Sequence, residues 1–105
     1  MNIYVYISKN YLDYNYIGET LKALRSFNII ISDVTKNFTR TVKNLSIPVS
    51  IIPKDQRYNF IRDESFAVLL FYDYEDETAQ KLLQYCQNKS KLVMVKALPN
   101  EEFHV

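Results

Sequence analysis

Apolar and polar positions along the chain switch between two periods, and the switches mark its elements. In Ile3–Ile7 the aliphatic residues share one face and Tyr4 and Tyr6 the other, a period of two that predicts a strand. A polar, tyrosine-rich loop runs from Asn10 to Tyr16, where Asp13 or Asn15 is placed to cap a helix. Ile17, Leu21 and Leu24 then recur at helical spacing, with Thr20, Ala23 and Phe27 alongside. Asn28, after glycine the residue best suited to a left-handed C-terminal position, predicts where that helix stops. The β-branched run Ile29–Ile31 reads as a strand buried on both faces. Phe38, Val42 and Leu45 follow at i, i+4, i+7 and predict a short second helix. Pro48–Ile52 predicts a third strand, with Pro48 and Pro53 at its ends, where a missing N–H is tolerated. Gln56–Glu64 predicts a third helix, more weakly patterned around Tyr58 and Ile61. Phe66–Tyr72 is the plainest strand of all. Asp73–Glu77 leads into a fourth helix striped by Ala79, Leu82, Leu83 and Cys86; Leu92–Val95 is the fifth strand, and Pro99–Val105 reads as a tail.

Buried-type strands alternating with helices predict an α/β fold: a three-layer Rossmann-like single domain of about five mostly parallel strands and about four helices. The expected domain spans residues 1–98, with a tail over 99–105. Ligands of such sheets sit beyond the carboxyl ends of the strands, where strand order reverses. The loops to examine are therefore Ser8–Asn10, Ser32–Lys36 and Asp73–Thr78.

Composition narrows the chemistry. A chain of 105 residues, 48% hydrophobic and 24% charged, is ordinary for a globular protein and excludes a disordered or fibrous one. Thirteen basic against twelve acidic residues give a net charge of +1, so no global field draws it to nucleic acid or membrane. Cys86 is the only cysteine, so no internal disulfide forms, and with a single His as well there is no Cys/His metal cluster. The opening MNIYVYIS lacks the basic region of a signal peptide, and no apolar run nears the ~18 residues of a membrane span, so a cytoplasmic protein is expected. One glycine stands where about seven are usual, and phosphate-cradling loops depend on glycine. Asn, Ile, Lys, Tyr and Phe supply 43 residues and Gly, Ala, Arg and Pro only 12, a skew expected of an AT-rich phage or low-GC genome.

At its three loops the chain resembles the SLOG superfamily, especially its small YspA-like branch, related to the LOG phosphoribohydrolases and DprA. The resemblance covers roughly Asn2 to Lys96 and rests on spacing and hydrophobic pattern. Ser8-Lys9-Asn10 stands where that family ends its first strand in Gly-Ser-Arg, and Ser32-Asp33-Val34-Thr35-Lys36 where it has a glycine-rich turn. Ile47-Pro48-Val49 and Phe71-Tyr72-Asp73 are similar to the family's Ile-Pro-Val and Phe-Trp-Asp, and Arg57 lies at the family's spacing before Asp73. Asp76-Glu77-Thr78 replaces the family's Ser-x-Gly-Thr. The resemblance implies a nucleotide-type ligand, but the glycines of all three loops are gone. Asp33, Glu75, Asp76 and Glu77 put negative charge where phosphate would dock, which repels an anion.

Each candidate residue carries a second, structural reading. Asp73, Glu75, Asp76 and Glu77 read first as the capped, dipole-favoured start of a helix, and otherwise suit a divalent cation or a general acid. Lys36, Arg40 and Lys43 form a basic stripe for an anionic partner, or a solvated face opposite Phe38 and Val42. Tyr11, Tyr14 and Tyr16 are candidate interface residues near the carboxyl edge, whereas Tyr4 and Tyr6 read as core under a helix with their hydroxyls at the rim. Arg57 suits a phosphate or carboxylate clamp, or an ion pair with Asp55. Cys86 sits on an apolar stripe and His104 in the tail, so no nucleophilic set is expected.

The leading expectation is a small non-enzymatic interaction protein without a cofactor. Its surface would comprise Lys9, Asn10, Tyr11, Tyr14, Tyr16, Asp33, Lys36, Arg40, Arg57, Asp73, Glu77 and Thr78. It would meet a protein partner or a second copy as a homodimer, and in an AT-rich mobile element it would modulate or inhibit a host protein. The alternative is a binding module for a nucleotide or ADP-ribose-type ligand. A third is an N-glycosidic hydrolase using Asp73 or Glu77.

Overall fold

Residues 1–97 are described by a computed structural model of the protein. Within them five strands, β1 (Asn2–Ile7), β2 (Asn28–Ile31), β3 (Val49–Ile51), β4 (Ala67–Tyr72) and β5 (Leu92–Ala97), alternate with four helices. The helices are α1 (Tyr14–Ala23), α2 (Lys36–Asn44), α3 (Arg57–Asp63) and α4 (Glu77–Asn88). Every strand pair is parallel, and the order is β3-β2-β1-β4-β5, so the direction of winding reverses between β1 and β4. The α/β, Rossmann-like architecture is as the alternation of elements predicts.

The period-two pattern of β1 divides the core. Ile3 and Val5 pack with Tyr11, Ile17, Leu21 and Phe38 under α1 and α2. Tyr4 and Tyr6 point the other way, into a layer with Ile61, Ala79, Leu82 and Cys86 from α3 and α4. The central strand β4 is apolar on both faces, Ala67 to Phe71 being fully buried. Each such side chain contributes about 1.5–3 kcal/mol by leaving water. Cys86 packs in this core, and burial pushes its thiol pKa up, away from reactivity.

Several boundaries differ from expectation. α1 stops at Ala23, not near Asn28: the Leu24 N–H turns back to Leu21, and Phe27 follows in a tight turn that closes on the Leu24 carbonyl. Asn28 instead opens β2, its side chain donating to Asn2 Oδ1. The left-handed non-glycine positions are Ser46 and Ser90, just past α2 and α4. A single 3-10 turn, Lys54–Gln56, precedes α3, and β3 is trimmed to Val49–Ile51 between its flanking prolines. β5 runs on to Ala97; the tail 99–105, with His104, lies outside the described residues. Gly18, the lone glycine, is buried where α1 meets α2. A Cβ there would meet Leu45 Cδ1 at 2.8 Å and Thr41 Cγ2 at 2.9 Å, so this glycine serves helix packing.

Candidate functional site

The carboxyl ends of β1 and β4 lie side by side at the reversal of strand order, and backbone ties close the gap between them. The Ser8 N–H donates to the Phe71 carbonyl at 2.9 Å, and the Asp73 N–H donates to Ser8 Oγ at 3.0 Å. Asp73 is buried, its carboxylate accepting from Asn10 Nδ2 at 3.3 Å and the Glu75 N–H at 3.0 Å. Such a carboxylate pins one loop to another. Both its oxygens are engaged within the fold, which corrects the expectation of a ligand-facing Asp73.

Four helices begin at this edge, and α1, α2 and α4 are each capped by a side chain of their own chain, whereas α3 has no side-chain cap. Asp13 accepts from the Tyr16 N–H at 3.1 Å, and Thr35 Oγ1 from the Phe38 N–H at 3.1 Å. Asp76 Oδ1 accepts from the Thr78 and Ala79 N–H groups at 3.0 and 3.4 Å. A bare helix N-terminus is an anion site because its first N–H groups lack partners. Here side-chain oxygens engage one such donor at α1, one at α2 and two at α4. Asp76 also accepts from the Tyr6 hydroxyl at 2.8 Å, so burial and that bond raise the Tyr6 pKa. Of the acidic run, Asp76 is the cap and Glu77 sits exposed in the first turn of α4, where it favours the helix dipole. Thr78 offers this edge an N–H already engaged.

Arg57, at the start of α3, is buried with its side chain only 8% exposed. Its Nη2 lies 3.0 Å from both carboxylate oxygens of Asp33, and its guanidinium sits 5.6 Å from the centroid of the Tyr6 ring. Lys54 reaches the same carboxylate at 3.5 Å from the solvent side. The clamp expected of Arg57 therefore closes on an internal carboxylate, and its partner is Asp33 rather than Asp55. The reason is topological: β2 and β3 are adjacent parallel strands, so the loop after β2 and the start of α3 lie at neighbouring carboxyl ends. Below, the Tyr4 hydroxyl donates to Ser32 Oγ at 2.8 Å.

On the β2–β3 side of the reversal lies an open cleft of about 540 Å³. Phe38, Val34 and Ile51 make apolar walls, while Lys9, Asp33 and Lys54 supply its charges. Of the expected site residues, Lys9, Tyr14 and Asp33 line this cleft, and Lys36 and Arg40 lie exposed on the adjoining α2. Asn10, Asp73, Glu77 and Thr78 gather instead around the β4–α4 turn.

The three loop tyrosines part company. Tyr11 is buried edge-on against Phe71 at 5.4 Å, a correction to its interface role, because the loop folds its ring into the core layer under α1. Tyr14 is half-buried with its hydroxyl against Thr35 Oγ1 at 3.3 Å. Tyr16 alone keeps an exposed ring, beside the carboxyl end of β5. Phe38, Ile51 and Lys54 were not foreseen as cleft residues. Their signal lay in position, since each falls within a few residues of the end of β2 or β3.

No family model, curated protein or solved structure matches the chain. Fold and edge together define a class: an all-parallel, three-layer Rossmann-like domain whose ligand edge is largely engaged by its own side chains. Among the described residues no three His, Cys, Asp or Glu side chains converge as a metal site requires, and no helix is long and apolar enough to cross a membrane.

Proposed function

We propose that the protein is a non-enzymatic interaction module on a diverged SLOG-like scaffold, acting by binding another protein. The observation that carries this reading is the internal capping of α1, α2 and α4, whose side-chain oxygens take up part of the first-turn N–H groups a phosphate would use. Exposed apolar residues supply a contact surface. Leu12 and Tyr16 are 70% and 38% exposed on the β1–α1 side, and Leu92 and Val95 are 54% and 41% exposed on the edge strand β5. Tyr16 and Val95 border one depression with Asp13 and Lys96. Such a mixed rim around apolar anchors suits a protein interface. The skewed composition favours a mobile-element protein that modulates a host protein in the cytoplasm, alone or as a homodimer.

Mass measurement by light scattering, with partner capture before and after Leu12→Asp plus Tyr16→Asp, tests the proposal. A defined partner or a dimer that the double variant loses is expected. Retention of every contact by the variant refutes this surface. The alternative of a nucleotide or ADP-ribose-type ligand is favoured by one observation, the cleft flanked by Lys9 and Lys54. A melting temperature raised by millimolar ATP, NAD or ADP-ribose would favour it. The engaged oxygens of Asp73 weigh against N-glycosidic hydrolysis.

A further inference from the structure

The carboxyl edge is electrically divided, although the chain is nearly neutral. On the β4–α4 side, Glu75 and Glu77 stand exposed beside the cap Asp76. On the other side α2, KNFTRTVKN, contains three basic residues and no acidic one. Lys36, Arg40 and Lys43 are all exposed, and with Lys9 they form no ion pair among the described residues. The one carboxylate in the cleft, Asp33, is already neutralised by Arg57, with Lys54 as a second cation. Lys36 is the first residue of α2, where a positive charge opposes the helix dipole. A local rule broken without gain to the fold is where function is to be sought.

Lys9 and Lys54 line the cleft and Lys36 follows its wall residue Thr35, whereas Arg40 and Lys43 lie further along α2; the cleft is not charged throughout. Phe38 forms a buried wall, and Val34 and Ile51, 39% and 65% exposed, form an apolar lip. Cations around an apolar pocket fit an apolar side chain flanked by carboxylates.

We infer that the cleft between α2 and the end of β3 receives an acidic segment of a protein partner. An apolar anchor of that segment enters between Phe38, Val34 and Ile51, and its carboxylates meet Lys9 and Lys54 in the cleft and Lys36 at the start of α2. This rests on the interaction reading above and adds the chemistry of the partner on a surface separate from Leu12 and Tyr16. A long polyanion fits less well. A nucleic-acid backbone continued along the edge would run onto Glu75 and Glu77, whereas a short segment ends before them.

Short random peptides displayed on phage are the probe, selected on the folded protein and then measured singly by fluorescence anisotropy. Selected sequences should carry Asp or Glu around a Leu, Ile or Phe. Their affinity should fall about tenfold in Lys9→Glu plus Lys36→Glu, as complementary charges become like charges. Ile51→Ser should weaken them with the charges intact. All three positions are exposed, so the variants keep the fold, which circular dichroism checks.

Winners without acidic excess, or acidic winners indifferent to the charge reversal, overturn the inference. So does single-stranded oligo-dT binding the cleft as tightly as the best peptide. Winners lost only in Leu12→Asp plus Tyr16→Asp overturn it too, while leaving the interaction reading intact. A library that yields nothing overturns it as well; a nucleotide-dependent rise in melting temperature would separately count against the interaction reading.

Discussion

Removing the Asp33 carboxylate should unbalance the fold more than any other single change at the carboxyl edge. In Asp33→Ala the Arg57 guanidinium, 8% exposed and held by two 3.0 Å contacts, stays buried with no counter-charge. Stripping one partner from a fully buried pair costs about 3–5 kcal/mol. Asp33 is 27% exposed, so water entering its vacated place rehydrates one side of the guanidinium and lowers the loss to about 2–3 kcal/mol. For a domain of this size that is a fall in melting temperature of roughly 10 °C. Arg57→Met is the informative contrast. It removes the buried charge, leaves an apolar chain over the Tyr6 ring, and leaves Asp33 with solvent and Lys54, at a cost of about 1 kcal/mol. The double variant should then be more stable than Asp33→Ala alone, with a coupling of about 2 kcal/mol in a urea-denaturation cycle. If Asp33→Ala stays within about 0.5 kcal/mol of the parent, Arg57 does not depend on this pair.

Gly18→Ala should destabilise by about 1 kcal/mol, because crowding against Leu45 and Thr41 outweighs the gain in helix propensity; a Leu45→Ala background should reverse the sign of the urea midpoint shift. Asp76→Ala removes the cap of α4 and the acceptor of the Tyr6 hydroxyl together, a loss of about 2 kcal/mol by urea denaturation. Adding Tyr6→Phe should recover part of it, and no recovery would refute the link between the two. Tyr4, Tyr6 and Tyr11 all have pKa values raised above the ordinary 10.0, chiefly by burial. The folded state therefore keeps protons that the unfolded chain releases above that value. Stability should be unaffected by these groups below pH ~10 and fall as pH rises beyond it, less steeply in Tyr6→Phe. A urea midpoint flat or rising in that range would contradict the raised values.

Periodicity carried most of the fold. β1 and β4 were legible because each is long enough to display its pattern, and the stripe Ala79, Leu82 and Cys86 placed α4 face-down on the sheet. The end of α1 was not, because Leu24 and Phe27 continue the apolar spacing beyond the last helical turn, and only the backbone turn separates them. At the edge, the three loops were found from topology, but the pairing of Asp33 with Arg57 was not. Those residues are separated by two elements, and each taken alone reads as a surface charge. Tyr11 misled for a related reason: a loop ring folds inward when a large neighbour such as Phe71 offers its face.

The acidic residues that read as hostile to phosphate acquire a different meaning once their bonds are traced. A loop rich in glycine can turn its backbone N–H groups toward a bound anion, which satisfies them. When no anion comes, those donors still need acceptors, and an unpaired buried donor costs about 1–3 kcal/mol. Asp13, Thr35 and Asp76 meet that need at three helix starts, and Asp73 meets it at the β4–α4 turn. Scarcity of glycine and abundance of acid at the edge are thus two sides of one structural condition. At those starts the fold needs no ligand to complete it. At the edge itself, Lys9 and Lys36 form no ion pair among the described residues, and both lie on the other half. No such structural requirement explains them, which is why they, rather than the acids, are the residues to test for a partner.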